Sequence, residues 1–323
     1  MEADMARRFP FKQVDVFTAT PYRGNPLAVV LDGEGLSTAE MQDFTHWTNL
    51  SECTFLLPPT PAGRAAGAHY RVRIFCTGRE LPFAGHPTLG SCHAWLETQS
   101  AARAAQSAAT TAAGESSPPM PTTIIQECGA GLVRIRRDGT RLAFAAPPLI
   151  KAGPLPEEDV AQIAAGLGIA RTDILHHAWC DNGPNWRGVF LASAEQVLAL
   201  KPDAALLGDM DLGVVGPWMR SNGAATDMAA NAHATTATHG DAPAFEIRAF
   251  FPGNSGLTED PVTGSLNAAV AQWLIGAGLA PPRYVAAQGT VMGRAGRVHI
   301  EQDAEGIWVG GDSVTCINGT VLL

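Results

Sequence analysis

Apolar and polar residues alternate along residues 11–17, the period of a strand with one buried face. A second, apolar strand is predicted at 27–31, after the turn residues of 22–26. Residues 37–47 predict a helix: Ser37 stands as N-cap, and Glu40, three residues on, completes a capping box. Strands follow at 49–57 and 70–75, then a helix at 86–99. Residues 101–121, rich in Ala, Ser, Thr and Pro, read as a mobile insertion or linker. Beyond them the pattern predicts strands at 123–127, 132–136 and 142–145, then a helix at 156–167 opened by Pro156. A strand at 189–192, a short helix at 194–200 and a strand at 214–222 come next. Residues 223–244 form a second loop of small residues, in which His233 and His239 read as surface residues. The tail, 283–323, alternates through several strands.

Two stretches of this pattern match each other. ELPFAGHPTLGSCHAWL (80–96) and EDPVTGSLNAAVAQWL (259–274) share Glu80/Glu259, Pro82/Pro261 and Gly85/Gly264 at one common offset of 179 residues. Each runs into an apolar helix ending near a Trp and a Leu, and similar strands, YRVRIF (70–75) and FEIRAF (245–250), precede them. Two long copies indicate a duplicated domain rather than a solenoid. Strands outnumber helices and do not alternate one for one with them, unlike a parallel βαβ fold. The expected fold is therefore α+β. It has two similar domains, each a curved, mostly antiparallel sheet around one long apolar helix, spanning 1–121 and 122–308, with 309–323 returning as a strand to the first. The second helix is apolar nearly all round, the mark of burial.

Composition narrows the possibilities. The 323 residues suffice for two domains, and the 46% that are hydrophobic give each a core. A net charge of −9, with no Lys/Arg run, argues against nucleic acid and anionic membranes as partners. No apolar segment reaches the ~18 residues of a membrane span. Arg7 and Arg8 are not followed by an apolar h-region, so they are not read as a twin-arginine signal. The six cysteines (53, 76, 92, 128, 180 and 316) show no C-x-x-C spacing. That fits free thiols in a reducing cytoplasm, not a disulfide framework or a zinc site.

The candidate chemistry lies in three places. On an alternating strand over 49–57, Leu50, Glu52, Thr54 and Leu56 share a face. If Leu50 and Leu56 face the core, Glu52 is carried inward, loses solvation and has its pKa raised toward neutrality. A residue that takes and returns one proton near pH 7 needs this. Alternation alone equally allows an inward charge that guards a sheet edge, or a solvent-facing Glu52. Gly85-His86 and Gly264-Ser265 each open a helix, where free N–H groups and the positive dipole end suit an anion and glycine permits close approach. Two such ends facing each other across a domain cleft would clamp a small carboxylate. His86 in this position is biased toward the neutral form, able to donate or accept a proton, although a lone histidine also reads as a satisfied structural hydrogen bond. Asp260, just ahead of the second helix, also reads as an ordinary acid favoured by that dipole.

GNPLAVVL (24–31), NLSECTFLL (49–57), ELPFAGHPTLG (80–90) and TEDPVTGSLNAAVAQWL (258–274), in this order, resemble the phenazine-biosynthesis-like PhzF family over most of the chain. The resemblance implies a diaminopimelate epimerase-like fold: two pseudo-symmetric domains, each a sheet wrapped around a central helix, with the active site between them. It implies a homodimeric isomerase that needs no metal or cofactor and acts on a small carboxylate such as a dihydro-hydroxyanthranilate. Carried over residue by residue, Glu52 removes a proton from one carbon and returns it to another. His86 and Asp260 position the substrate and relay its protons, and Ser51, Gly85, Gly264 and Ser265 bind it. The family often has Thr after the Glu; this chain has Cys53, which on an alternating strand points away from Glu52. An amino-acid epimerase of the same fold uses two thiols, but neither helix start carries one, and Cys92, two turns into its helix, is matched by Ala271. A dehydratase on this fold and a catalytically inactive carboxylate-binding protein are the remaining alternatives. A hydrolase lacks its G-x-S-x-G elbow.

Overall fold

The computed structural model describes residues 7–109, 120–218, 242–253 and 256–323. Contacts divide the chain into two compact units. One takes the residues up to Tyr22, Pro26–Phe144 and Gly311–Leu323; the other takes Arg23–Asn25 and Ala145–Gly310. No helix among the described residues is long and apolar enough to cross a membrane.

The first unit is built from β1 (Arg8–Val16), β2 (Asn25–Val30), α1 (Thr38–Thr48), β3 (Glu52–Leu57), α2 (Pro61–Ala65) and β4 (Tyr70–Cys76). It continues through β5 (Glu80–Leu81), α3 (Gly85–Ala109), β6 (Thr123–Cys128), β7 (Gly131–Asp138) and β8 (Arg141–Ala145). β2 runs parallel to β3, and β3 antiparallel to β4. β4 forms a hairpin with β5 and, beyond α3, pairs in parallel with β6. The C-terminal strand Ser313–Leu322 pairs antiparallel with β1 from Arg8↔Leu322 to Val16↔Ser313. α3 packs against β1, β3, β6 and that strand.

β3 is covered on both faces. Cys53 and Phe55 join Met41, Phe44 and Phe75 in one cluster. There the Phe55 ring meets Phe44 edge-on at 6.1 Å and Phe75 at 5.6 Å. Burying each such ring stabilises the unit by about 1.5–3 kcal/mol. On the opposite face Thr54 accepts a hydrogen bond from Ser91 of α3 at 2.9 Å. Burial on both faces explains why apolar residues stand on each side of the strand, Phe55 on one and Leu56 on the other. The predicted capping box is present at α1: the Glu40 N–H donates to Ser37 Oγ at 3.2 Å, and the Ser37 N–H donates to Glu40 Oε2 at 2.6 Å. α1 ends on Asn49, left-handed at φ 56°. The strand expected from residue 49 therefore starts only at Glu52, and Leu50 packs with the Cys53–Phe55 cluster, not on the face of Glu52.

The second unit comprises α4 (Glu157–Leu167), β9 (His176–Trp179), β10 (Arg187–Phe190), α5 (Ala194–Ala199), α6 (Ala204–Leu207) and β11 (Leu212–Pro217). After these come β12 (Phe245–Gly253), β13 (Gly256–Asp260), α7 (Gly264–Gly276), β14 (Arg283–Gln288), β15 (Gly296–Asp303) and β16 (Gly306–Gly311). The connectivity of the first unit recurs. β10 is parallel to β11, β11 antiparallel to β12, β12 hairpins with β13 and pairs in parallel with β14, and an antiparallel meander follows. α7 buries Leu266, Asn267, Ala268, Ala269, Val270, Ala271 and Leu274, as its all-round apolar sequence predicts. A second cluster joins Val160, Ile163 and Leu167 of α4 to Val189, Leu212, Val214 and Phe250. Arg248, only 4% exposed, lies on β12. Its guanidinium donates to both oxygens of Glu259 at 2.9 and 2.8 Å, and to the carbonyls of Val197 and Leu200 at 3.1 and 2.9 Å.

Mixed strands with few helices agree with the α+β expectation. The boundary expected at 121/122 stands instead at 144/145, because β6 adds to β4 and carries β7 and β8 with it. Of the expected linker 101–121, residues 101–109 continue α3; residues 110–119 lie outside the described residues. So do residues 219–241, which hold His233, His239 and the end of the strand expected at 214–222.

Candidate functional site

In the first unit β3 and α3 run past each other, and their side chains meet in successive rungs. Thr54 reaches Ser91; two residues earlier on the same face, Glu52 reaches the first turn of α3. There Glu52 Oε2 lies 3.4 Å from His86 Nε2, with the Glu52 side chain 18% exposed and that of His86 only 6%. Pro87, in the first turn, has no N–H to waste at a position with no helical acceptor. Ser51 is exposed beside Glu52, and Gly85 is buried beside His86. Burial drives the pKa of His86 down to about 3. The neighbouring carboxylate favours the imidazolium, but the loss of water outweighs it, and the positive end of α3 acts in the same direction as burial. The ring is neutral at physiological pH.

A stability prediction follows from this neutral ring. The folded pKa lies below the ordinary imidazole value near 6.5, so the unfolded chain binds the proton more readily. His86 therefore costs stability progressively as pH falls below about 6.5 and until it nears the folded value. Between pH 8 and pH 5 the wild type is expected to lose about 2 kcal/mol more than His86→Gln, read from urea unfolding. Equal losses in both proteins would refute the neutral assignment.

In the second unit, Asp260 closes β13 and heads a buried polar network. Asn25 Nδ2 donates to Asp260 Oδ1 and to the Val262 carbonyl, both at 2.9 Å. Thr263 Oγ1 donates to Asp260 Oδ2 at 2.5 Å. Gln288 Nε2 donates to the Asp260 carbonyl at 3.1 Å and to Thr263 Oγ1 at 2.9 Å, while its Oε1 accepts from the Thr263 N–H at 2.9 Å and Asn267 Nδ2 at 2.8 Å. Burial raises the pKa of Asp260, and the bonds from Thr263 and Asn25 oppose that rise. Thr263 is the N-cap of α7, yet it spends its hydroxyl on Asp260 and makes no side-chain cap. The first-turn N–H groups of Gly264 and Ser265 thus have no capping side chain from Thr263 and no intrahelical acceptor. Ser265 is held from outside the helix: Trp186 Nε1 donates to its Oγ at 3.1 Å, and Asn182 Nδ2 donates to its carbonyl at 2.8 Å.

The structure thus brings Ser51, Glu52, Gly85 and His86 together in one unit, and Asp260, Gly264 and Ser265 together in the other. Sequence reasoning missed Asn25, Thr263, Asn267 and Gln288, as well as Trp186 and Asn182. Asn25 and Thr263 sit inside the motifs already singled out, Asn25 there as one of the turn residues 22–26 and Thr263 without a role of its own. Cys53 makes its contact with Thr48 at 3.2 Å, away from Glu52. Burial pushes the Cys53 thiol up to about 11 and that of Cys92 to about 12, which keeps both protonated and poor nucleophiles. Among the described residues no group of His, Cys, Asp or Glu is arranged to hold a metal ion.

Residues 14–319 match the family described as phenazine biosynthesis-like protein (PhzC-PhzF). The chain is 32% identical over 324 residues to the protein named antisense-enhancing sequence 1 of Schizosaccharomyces pombe, covering 96% of this chain and 97% of that protein. It is 30% identical over 260 residues to the trans-2,3-dihydro-3-hydroxyanthranilate isomerase of Pseudomonas aeruginosa, covering 78% of this chain and 74% of the enzyme. In fold it resembles the crystal structure of a Bacillus anthracis phenazine biosynthesis protein of the PhzF family. That match has a TM-score of 0.69 at 19% identity and covers 98% of this chain and all (100%) of that one.

Proposed function

Since the chain belongs to the phenazine biosynthesis-like family, we propose that it is a cofactor-independent isomerase that moves a proton between two carbons of a small carboxylate. A trans-2,3-dihydro-3-hydroxyanthranilate is the type of substrate, and Glu52 is the shuttling acid/base. The observation that carries this reading is the contact of Glu52 with a neutral, buried His86. A shuttle must be stable with and without its proton. An imidazolium 3.4 Å away would lock Glu52 as the carboxylate, whereas a neutral ring leaves both forms accessible. In the reaction, the Glu52 carboxylate takes a proton as one C–H bond breaks. The electron pair spreads into the adjoining double bond, and Glu52 returns the proton as a new C–H bond forms farther along. His86 orients the carboxyl group.

In the second unit the first-turn N–H groups of Gly264 and Ser265, freed by the turn of Thr263 toward Asp260, suit a carboxylate. Asp260 already accepts a hydrogen bond at each oxygen, which favours a positioning role over proton relay. The recurring connectivity, with α3 and α7 opening at Gly85 and Gly264, supports reading the two units as copies of one duplicated half. Incubation with trans-2,3-dihydro-3-hydroxyanthranilate in deuterated water tests the proposal. Isomerised product carrying deuterium at carbon, followed by mass spectrometry, is the expected result. Neither product nor deuterium uptake from the folded protein would overturn it.

A further inference from the structure

Ser265 is gripped by a loop far from it in sequence, and the chemistry of that grip decides which way its hydroxyl works. The loop spans residues 181–186. Asp181 Oδ1 accepts from the N–H groups of Gly183 at 2.8 Å and Asn185 at 2.9 Å, and the Cys180 N–H donates to the Trp186 carbonyl at 2.8 Å. Asn185 is held left-handed at φ 60° and Gly183 at φ 138°, conformations that Asn and Gly tolerate best. The loop is therefore closed on itself before anything binds. It presents two donors to one residue: Asn182 Nδ2 to the Ser265 carbonyl and Trp186 Nε1 to Ser265 Oγ. Trp186 is only 3% exposed, so its ring cannot swing away without leaving the core, while Ser265 keeps an open side.

A serine hydroxyl carries one hydrogen and two lone pairs, and an indole N–H can only donate. Trp186 fills a lone pair of Ser265 Oγ and leaves its hydrogen to be given elsewhere. We infer that Trp186 is a positioning residue that turns the Ser265 hydroxyl hydrogen away from the indole and toward the open side, and so favours an anionic acceptor, a carboxylate, at the start of α7. The inference rests on the proposed function, in which Ser265 binds the substrate carboxylate. Left to rotate, the same hydroxyl would spread its hydrogen over more directions, and the start of α7 would hold a carboxylate less well. Nothing in the sequence around Trp186 advertises this role, because the ring earns its place in the core regardless.

Three variants of the full chain test it: Trp186→Phe, which keeps an aromatic ring and removes the N–H, Ser265→Ala, and the double variant. Binding of 2-aminobenzoate, a planar carboxylate of the substrate's type, is measured by calorimetry. KM and kcat are measured on trans-2,3-dihydro-3-hydroxyanthranilate, with thermal midpoints as a check on folding. Trp186→Phe is expected to weaken binding and raise KM about 5- to 10-fold with kcat little changed. Ser265→Ala should weaken them at least as much, and the double variant no further than Ser265→Ala. If the two effects multiply, or if Trp186→Phe binds like the wild type while Ser265→Ala does not, the positioning role is wrong and the proposed function stands. If Ser265→Ala binds and turns over like the wild type, the assignment of Ser265 to the substrate falls, and this inference with it.

Discussion

Glu52→Gln is expected to lower turnover by about 10²–10⁴-fold, the range that a positioned general acid/base supplies. It should also abolish deuterium uptake from the solvent. The amide matches the carboxyl group in shape but can neither take the proton nor return it. KM should change far less than kcat, because removing a group that acts on the reacting carbon subtracts transition-state stabilisation rather than ground-state binding. The fold should survive. Glu52 opens β3 and keeps 18% of its side chain in solvent, so the exchange of a charged for a neutral head leaves no buried charge behind. Steady-state rates beside a thermal melt separate the two effects. An active Glu52→Gln variant would transfer the shuttle to another group. An inactive one that also melts early would show only that the β3–α3 contact is structural.

Arg248→Met should destabilise the second unit by about 3–5 kcal/mol, measured by urea unfolding. The substitution keeps most of the stem's packing and removes the charge. It leaves Glu259, only 16% exposed in its side chain, without its bidentate partner, and two carbonyls of the α5 end without their donor. Such a loss is a large part of the 5–15 kcal/mol that holds a typical domain together. Pairing it with Glu259→Leu should recover part of the loss, because the stranded carboxylate is then gone too. A change below about 1 kcal/mol in the single variant would mean that water reaches Glu259 and screens it as it does surface pairs.

What could be read from the sequence was local. Ser37 and Glu40 announce the start of α1 because a capping box is a contact between residues three apart. His86 and Asp260 stand out because their neighbours in sequence form recognisable turns and helix starts, and Glu52 because of the alternation along its strand. The limit of β3 was misread because Asn49 looks like any polar residue until its left-handed conformation ends α1. The extent of α3 was misread because an Ala-rich stretch serves a helix and a linker equally well. The 144/145 boundary follows from the pairing of β4 with β6, across a long separation in sequence. Gln288 shows the remaining difficulty. One glutamine at the end of a strand has no signature, and its four hydrogen bonds exist only once β13, β14 and α7 have been brought together.

The pairing of β1 with Ser313–Leu322 also bears on how the chain is made. A polypeptide leaves the ribosome from its N-terminus, so β1 emerges early and waits while the whole of Ala145–Gly310 is synthesised before its partner strand arrives. Until that strand arrives the first unit has an open strand edge and an α3 lacking part of its cover, whereas the second unit has all its residues once Gly310 is made. Domains tend to fold in the order of their synthesis, but here the later one completes first. The closing contact joins residues 8–16 to residues 313–322, so its large loop-closure entropy is met only after the second unit has been made. Until then the free edge of β1 is a place where a strand of another chain can add, so crowding of unfinished chains is the hazard that this pairing removes.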